Sequence, residues 1–476
     1  QALTAWKRIE EGGASVSSFV SNKSPFSKRN PNYLILEINK TGTRAGIKNL
    51  GYNSGIAVKE DESYNFSCYA KSDKPCEITV SIDNAYGEVI TEKSLNITSN
   101  EWTEYSFTLT SPVNDFSAVL AVTSKQECKF CLDFVSLFPV KTYKNRKNGM
   151  RNDIAEMLAD LKPKFMRFPG GCLIHDGTLN SDDRNSMYRW KNTIGAVTDR
   201  PSRRNNWRYN QSLGLGYFEY FQFCEDIGAK PLPVLPAGYN PHMEQAVPLD
   251  EMQEWIDDAL DLIEFANGTD ESNEWVQKRI QMGHKEPFNM KYIGIGNEQY
   301  GDIYFERYEE FAKQIHEKYP DINLVTTSGT ASSGSSNDLA WNWANEHEEL
   351  ADRMDEHYYE TADWFRQHAY RYDNYRRDTN TKVFLGEYAS KGNAWYNALS
   401  EAAFMTGLER NADVVRMASY APMFAKYGNT QWSAADMIWF NNSDYVLTPN
   451  YYVQSLFSNN QGNYSLPTEV KLNGIE

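Results

Sequence analysis

From about Lys141 onward, short apolar stretches alternate with amphipathic ones in a strand, loop, helix rhythm that admits few folds. Strand-like segments begin near residues 165, 230, 291, 323, 354, 382 and 414. Between them, a 3.6-residue periodicity predicts helices over Gly214–Ile227, Leu249–Ala266, Tyr304–Tyr319, Asn337–Ala351, Ala362–Tyr375 and Trp395–Asn411. Apolar strands separated by helices bury both faces only in a parallel sheet covered by helices. The closed form of that arrangement is the (β/α)8 TIM-type barrel, which needs eight strands. Seven can be counted, so one strand is expected to be missing from this chain.

Upstream the texture is different. Tyr64–Ala70, Glu77–Ile82, Trp102–Leu109, Ala118–Thr123 and Leu132–Phe138 alternate apolar with polar residues and are split by turns such as Ser72-Asp-Lys-Pro75. Closely spaced strands without intervening helices argue for a β-sandwich, each strand burying one face. A length of 476 residues also exceeds one ordinary core. The chain is therefore read as a sandwich over 1–140 and a barrel over 141–460.

Charge narrows the partners. A formal net charge of −16 repels phosphate backbones and anionic bilayers, so neither nucleic acid nor a membrane is expected. No apolar run is long enough to span a bilayer. Aromatic residues make up 14% of the chain, which fits sugar rings docking on flat apolar faces as well as a large core. Among the six cysteines, Cys128-Lys-Phe-Cys131 lacks a second CxxC or a histidine cluster, and His175-Asp176 lacks a third ligand. No metal and no cofactor are expected. Cys68, Cys76, Cys128 and Cys131 read as adjacent buried thiols, with disulfides open to an exported protein.

Two strands end in glutamate: Tyr292-Ile-Gly-Ile-Gly-Asn-Glu298 and Val383-Phe-Leu-Gly-Glu387. In a (β/α) barrel the carboxyl ends of the strands assemble the site, so the two carboxylates can face each other across its mouth. A carboxylate pair about 5–5.5 Å apart serves retaining glycoside hydrolysis. At a third strand end, Asp355-Glu-His357-Tyr-Tyr359 offers an imidazole and a phenol at the same height. Arg167 is a cation in an otherwise apolar strand and should meet a carboxylate, with Glu387 in reach. Gly170 and Gly171 after it let the backbone approach a ligand.

These motifs, in order, resemble those of the α-L-arabinofuranosidases of glycoside hydrolase family 51, in the subgroup with an inserted carbohydrate-binding-type sandwich. The resemblance runs from about Asp133 to Ser458. It includes Arg167-Phe-Pro-Gly-Gly-Cys172, Tyr188-Arg-Trp-Lys191, Gly296-Asn-Glu298, His357-Tyr-Tyr359 and Gly386-Glu-Tyr-Ala389. It implies a retaining, exo-acting glycosidase that releases terminal α-L-arabinofuranosyl groups from plant cell-wall polysaccharide or arabino-oligosaccharide. Glu298 would be the acid/base, Glu387 the nucleophile, and Asn297 the partner of the sugar 2-hydroxyl. His357, Tyr359, Arg167 and Cys172 would line the pocket, with Trp207 and Trp432 as aromatic walls. A secreted or periplasmic protein and a homo-oligomer are both compatible with it.

The family's opening strand, with its Phe-Glu-x-x-Asn type motif, has no counterpart here, in agreement with the strand count. Residues 461–476 would be the truncated start of the family's C-terminal β-sandwich. Two rivals stay open at this level: another retaining clan glycosidase, such as a xylosidase or endoglucanase, and a catalytically incomplete glycan-binding fragment.

Overall fold

In the computed structural model, which describes residues 3–431 and 435–468, the first segment folds into two antiparallel sheets. One sheet has the order Trp6–Glu11, Arg44–Asn49, Asp115–Thr123, Cys76–Asp83, Val89–Ile97, with Ile56–Val58 also pairing on Asp115–Thr123. The other runs Ser15–Ser21, Tyr33–Lys40, Cys128–Pro139, Ser63–Lys71, Thr103–Thr110. Alternation explains the packing. Phe66, Cys68 and Ala70 point inward from one sheet, Ile78 and Val80 from the other, and they meet in a single core.

Seven parallel strands follow, in chain order: Phe165–Phe168, Lys230–Leu235, Tyr292–Ile295, Asn323–Thr327, Arg353–Glu360, Lys382–Ser390 and Val415–Tyr420. Each stands where the sequence puts one. Among the described residues, the first and the seventh do not pair with each other, so the barrel wall is open there. Helices Tyr217–Ile227, Gln253–Asn267, Asp302–Lys318, Ser335–Glu346 and Trp395–Arg410 cover the outside. The predicted helix Ala362–Tyr375 is instead a short helix, Ala362–Gln367, then a 3-10 turn, Arg371–Asn374. After the seventh strand, Phe424–Lys426, Ile438–Phe440 and Tyr445–Leu447 form a small sheet, followed by helix Pro449–Asn459. Residues 461–468 carry no strand, and 469–476 lie outside the described residues.

The sandwich is fastened to the barrel. Ser27 Oγ donates to Asp199 Oδ1 at 2.9 Å and Arg29 Nη2 to Asn192 Oδ1 at 2.5 Å. Asn442 donates to the carbonyls of Ser54, Gly55 and Phe116. Lys426 Nζ donates to the Tyr52 carbonyl. The bonds from Asn442 and Lys426 hold the sandwich loop 51–55 against the barrel. Among the described residues, no helix is long and apolar enough to cross a membrane.

Candidate active site

The strand Tyr292–Ile295 is buried, and Gly296 turns out of it at φ 91°. Glu298 then sits at φ 58°, in the left-handed region that side chains other than glycine's seldom adopt. Such strain persists where the surroundings hold it, and it brings Glu298 to the mouth. Glu387 arrives differently. It lies within the sixth strand, in register with His357 of the fifth, just past a bulge between Glu356 and His357 that re-aims the side chains. Gly386 before it is required on steric grounds, because a Cβ there would lie 1.9 Å from Asp355 Oδ1. Only glycine leaves room for that carboxylate.

The network around the two glutamates is dense. Arg167 Nη1 donates to Glu387 Oε1 at 2.9 Å and Nη2 to Asn297 Oδ1 at 2.6 Å, while Nε lies 3.5 Å from Asp355 Oδ2. Tyr359 Oη donates to Glu387 Oε2 at 2.8 Å. His357 Nδ1 is 3.1 Å from Glu298 Oε1, and its Nε2 is 3.0 Å from Asp355 Oδ2. One oxygen of Glu298, one of Glu387 and a ring nitrogen of His357 lie within 4.8 Å of one another. Cys172 Sγ stands 3.8 Å from Glu298 Oε2.

Electrostatics set the protonation states. Burial would raise Glu387, but the cations of His357 and Arg167 and the Tyr359 hydroxyl outweigh it and hold the carboxyl below the ordinary range. Burial would lower His357, yet Asp355 and Glu387 bring it up to about 10, so the ring is an imidazolium at neutral pH. Burial and the nearby Glu298 and Glu387 carboxylates push the Cys172 thiol up to about 12.

Of the residues singled out in the sequence, Arg167, Cys172, Asn297, Glu298, His357, Tyr359 and Glu387 converge. Trp207 packs its ring over Gly171, 3.3 Å from where a Cβ would be, and lines the same cavity. Trp432 lies outside the described residues. Two contributors have no role in the sequence reading. Asp355 pairs with both buried cations, and Tyr52 reaches the cavity from the sandwich, its ring centroid 6.4 Å from that of Tyr209. Asp355 had a signal, an acid two residues before His357 on the same strand face; Tyr52 had none. The cavity measures about 3030 Å³ and continues from the carboxylates down the open wall, past Phe165, Met166, Met417 and Ala418.

Comparison with known proteins gives the family of this fold. Three family profiles match: a carbohydrate binding domain over residues 3–129, an α-L-arabinofuranosidase 1 domain over 157–377, and an α-L-arabinofuranosidase C-terminal domain over 372–475. An extracellular exo-α-L-arabinofuranosidase of Streptomyces chartreusis is 43% identical over 98% of this chain and 56% of its own length. An α-L-arabinofuranosidase A of Aspergillus niger is 33% identical over 97% of this chain and 72% of its own. An arabinose-bound family 51 α-L-arabinofuranosidase structure superposes with a TM-score of 0.88 at 30% identity, covering 99% of this chain and 76% of that one. The chain thus spans little more than half the length of its Streptomyces relative. On a barrel with this carboxylate pair, and with relatives matched along nearly its whole length, the chain belongs to the α-L-arabinofuranosidases of glycoside hydrolase family 51.

Proposed function

We propose that this chain carries an exo-acting α-L-arabinofuranosidase that releases terminal α-L-arabinofuranosyl groups with retention of configuration. The carrying observation is the spacing: one oxygen of Glu298 and one of Glu387 lie within 4.8 Å, which fits the close carboxylate pair of retaining enzymes, about 5–5.5 Å apart, better than the wider pair of inverting enzymes, about 6.5–9.5 Å apart. Glu387, held ionised by His357 and Arg167, attacks the anomeric carbon while Glu298 gives its proton to the departing glycosidic oxygen. The arabinosyl ester so formed on Glu387 is then cut by water. Glu298 takes the proton from that water, and Glu387 leaves as carboxylate. Asn297, whose Oδ1 accepts from Arg167 Nη2, meets the sugar 2-hydroxyl in this reading.

The substrates we assign are arabinan, arabinoxylan and arabino-oligosaccharides. The carbohydrate binding profile over the sandwich, the reach of Tyr52 into the cavity and the net charge of −16 support a neutral glycan. The name of the Streptomyces relative supports an extracellular location. A panel of 4-nitrophenyl glycosides tests the assignment: the α-L-arabinofuranoside should be turned over well ahead of the β-D-xyloside, and the reverse order contradicts it. The open wall favours one second reading, a glycan-binding fragment without turnover. It would show as retention on arabinan by both wild type and Glu387→Ala with no hydrolysis of any substrate in the panel.

A further inference from the structure

Beside the acid/base, three soft or borderline donors converge, two of them outside the network described above and the third, Cys172, at its edge. Cys172 and His175 lie on the 3-10 turn Gly171–His175, where residues three apart share a face. His242 comes from the loop after the second barrel strand. One donor atom from each lies within 4.8 Å of the others, and the two imidazole rings meet edge to face with centroids 4.8 Å apart.

His175 carries the argument. Its side chain is buried, with 2% exposure, and neither ring nitrogen has a hydrogen-bond partner among the described residues. A buried imidazole without partners is costly, and such groups in native proteins mark an unfilled role. Burial also keeps the ring neutral, which is the form that binds metals. The arrangement is braced. Asn240, itself buried, donates from Nδ2 to the His175 carbonyl at 2.7 Å, and its Oδ1 accepts from the His242 backbone N–H at 3.0 Å. One side chain thus fixes both halves.

We propose that Cys172, His175 and His242 form a site for a borderline divalent transition metal, Zn²⁺ above all, whose occupancy disables Glu298. One thiolate and two imidazoles with an open fourth position suit tetrahedral zinc. Bond lengths of about 2.0–2.3 Å put tetrahedral donors about 3.3–3.7 Å apart, inside the 4.8 Å that bounds this cluster. His242 is exposed and can swing in. The ion displaces the thiol proton of Cys172 to solvent. Its fourth position then faces Glu298 Oε2, which lies 3.8 Å from Sγ, and takes the oxygen that would carry the catalytic proton. This last step rests on the acid/base role proposed for Glu298; the metal site itself does not.

The test uses the full chain, stripped of metal with a chelator and titrated with Co²⁺. A near-ultraviolet thiolate-to-cobalt band should appear at one ion per chain, and Zn²⁺ should abolish it. His242→Ala, an exposed change away from the carboxylates, should leave metal-free hydrolysis unchanged. It should weaken Co²⁺ binding, and inhibition by Zn²⁺, by more than about tenfold, at least what loss of a supporting group costs a metal site. Absence of the band in the wild type overturns the proposal. So does binding that His242→Ala leaves intact, since the ion would then sit on the cluster of Glu298, His357 and Glu387. A band in a protein without glycosidase activity leaves the metal site standing and removes only the proposed function.

Discussion

Asp355→Asn isolates the charge that holds the two carboxylates in order. Asp355 is 2% exposed and touches both buried cations, Arg167 at 3.5 Å and His357 at 3.0 Å. Burial disfavours the His357 imidazolium, but Asp355 and Glu387 outweigh it and raise the group from 6.5 to about 10. Because the folded value lies above the unfolded one, the stabilisation is complete below pH 6.5 and fades as the pH rises through about 10. At about 1.4 kcal/mol per pH unit, that interval corresponds to about 5 kcal/mol. Asparagine keeps the shape and removes the charge. The variant should lose about 3–5 kcal/mol near pH 6, as when one partner of a buried ion pair is removed.

The loss should shrink toward pH 10, leaving the Arg167 contribution. Urea unfolding followed by tryptophan fluorescence at about pH 6, 8 and 10 measures it. Imidazole resonances of ¹⁵N-histidine protein give the His357 titration directly, which should move down by about 1–3 pH units. Equal destabilisation at every pH, or an unmoved titration, would refute the reasoning.

The remaining predictions concern regions away from the carboxylates. Tyr52 is 50% exposed and enters the cavity from the sandwich, so Tyr52→Ala should raise KM for arabinan about two- to tenfold, the worth of an aromatic contact, while nitrophenyl substrates stay unchanged. Equal effects on both substrates would deny the loop a role in holding polymer. Cys76 and Cys128 have free thiols with Sγ atoms 2.6 Å apart, and the hydrogen bond from Cys76 lowers Cys128 to about 7. Oxidised glutathione should therefore join them, with a mass loss of two hydrogens and a stability gain of up to about 4 kcal/mol for a loop of 52 residues. An unchanged mass, or the same gain in Cys128→Ser, would count against that pair.

The barrel was legible because its strands are apolar on both faces and each is bounded by a helix. The two glutamates were legible for a related reason: a charged residue closing a buried strand has few places to go but the mouth. Arg167 could be read the same way, since a cation inside an apolar strand requires a carboxylate partner. Contacts set by the fold rather than by spacing were not legible. His242 follows His175 by 67 residues, so His175-Asp176 reads as lacking a third ligand until the loop after the second strand brings the two rings together. Tyr52 belongs to another part of the chain altogether. In the sandwich, the strands Trp6–Glu11, Ser15–Ser21 and Val89–Ile97 give little signal because their burial is weak and their polar content high. The helix Glu274–Gln281 is hidden for the same reason, with only Val276 and Arg279 buried.

The proposed mechanism turns on a division of labour between Glu298 and Glu387, and azide trapping probes that division at the anomeric carbon itself. With 4-nitrophenyl α-L-arabinofuranoside and azide, Glu387→Ala should give the β-azide, because the anion replaces the lost nucleophile from the opposite face. Glu298→Ala should give the α-azide, because the ester on Glu387 still forms and azide needs no base to open it. Proton NMR of the anomeric centre distinguishes the two. The same anomer from both variants, or the two anomers exchanged, would contradict the assigned roles.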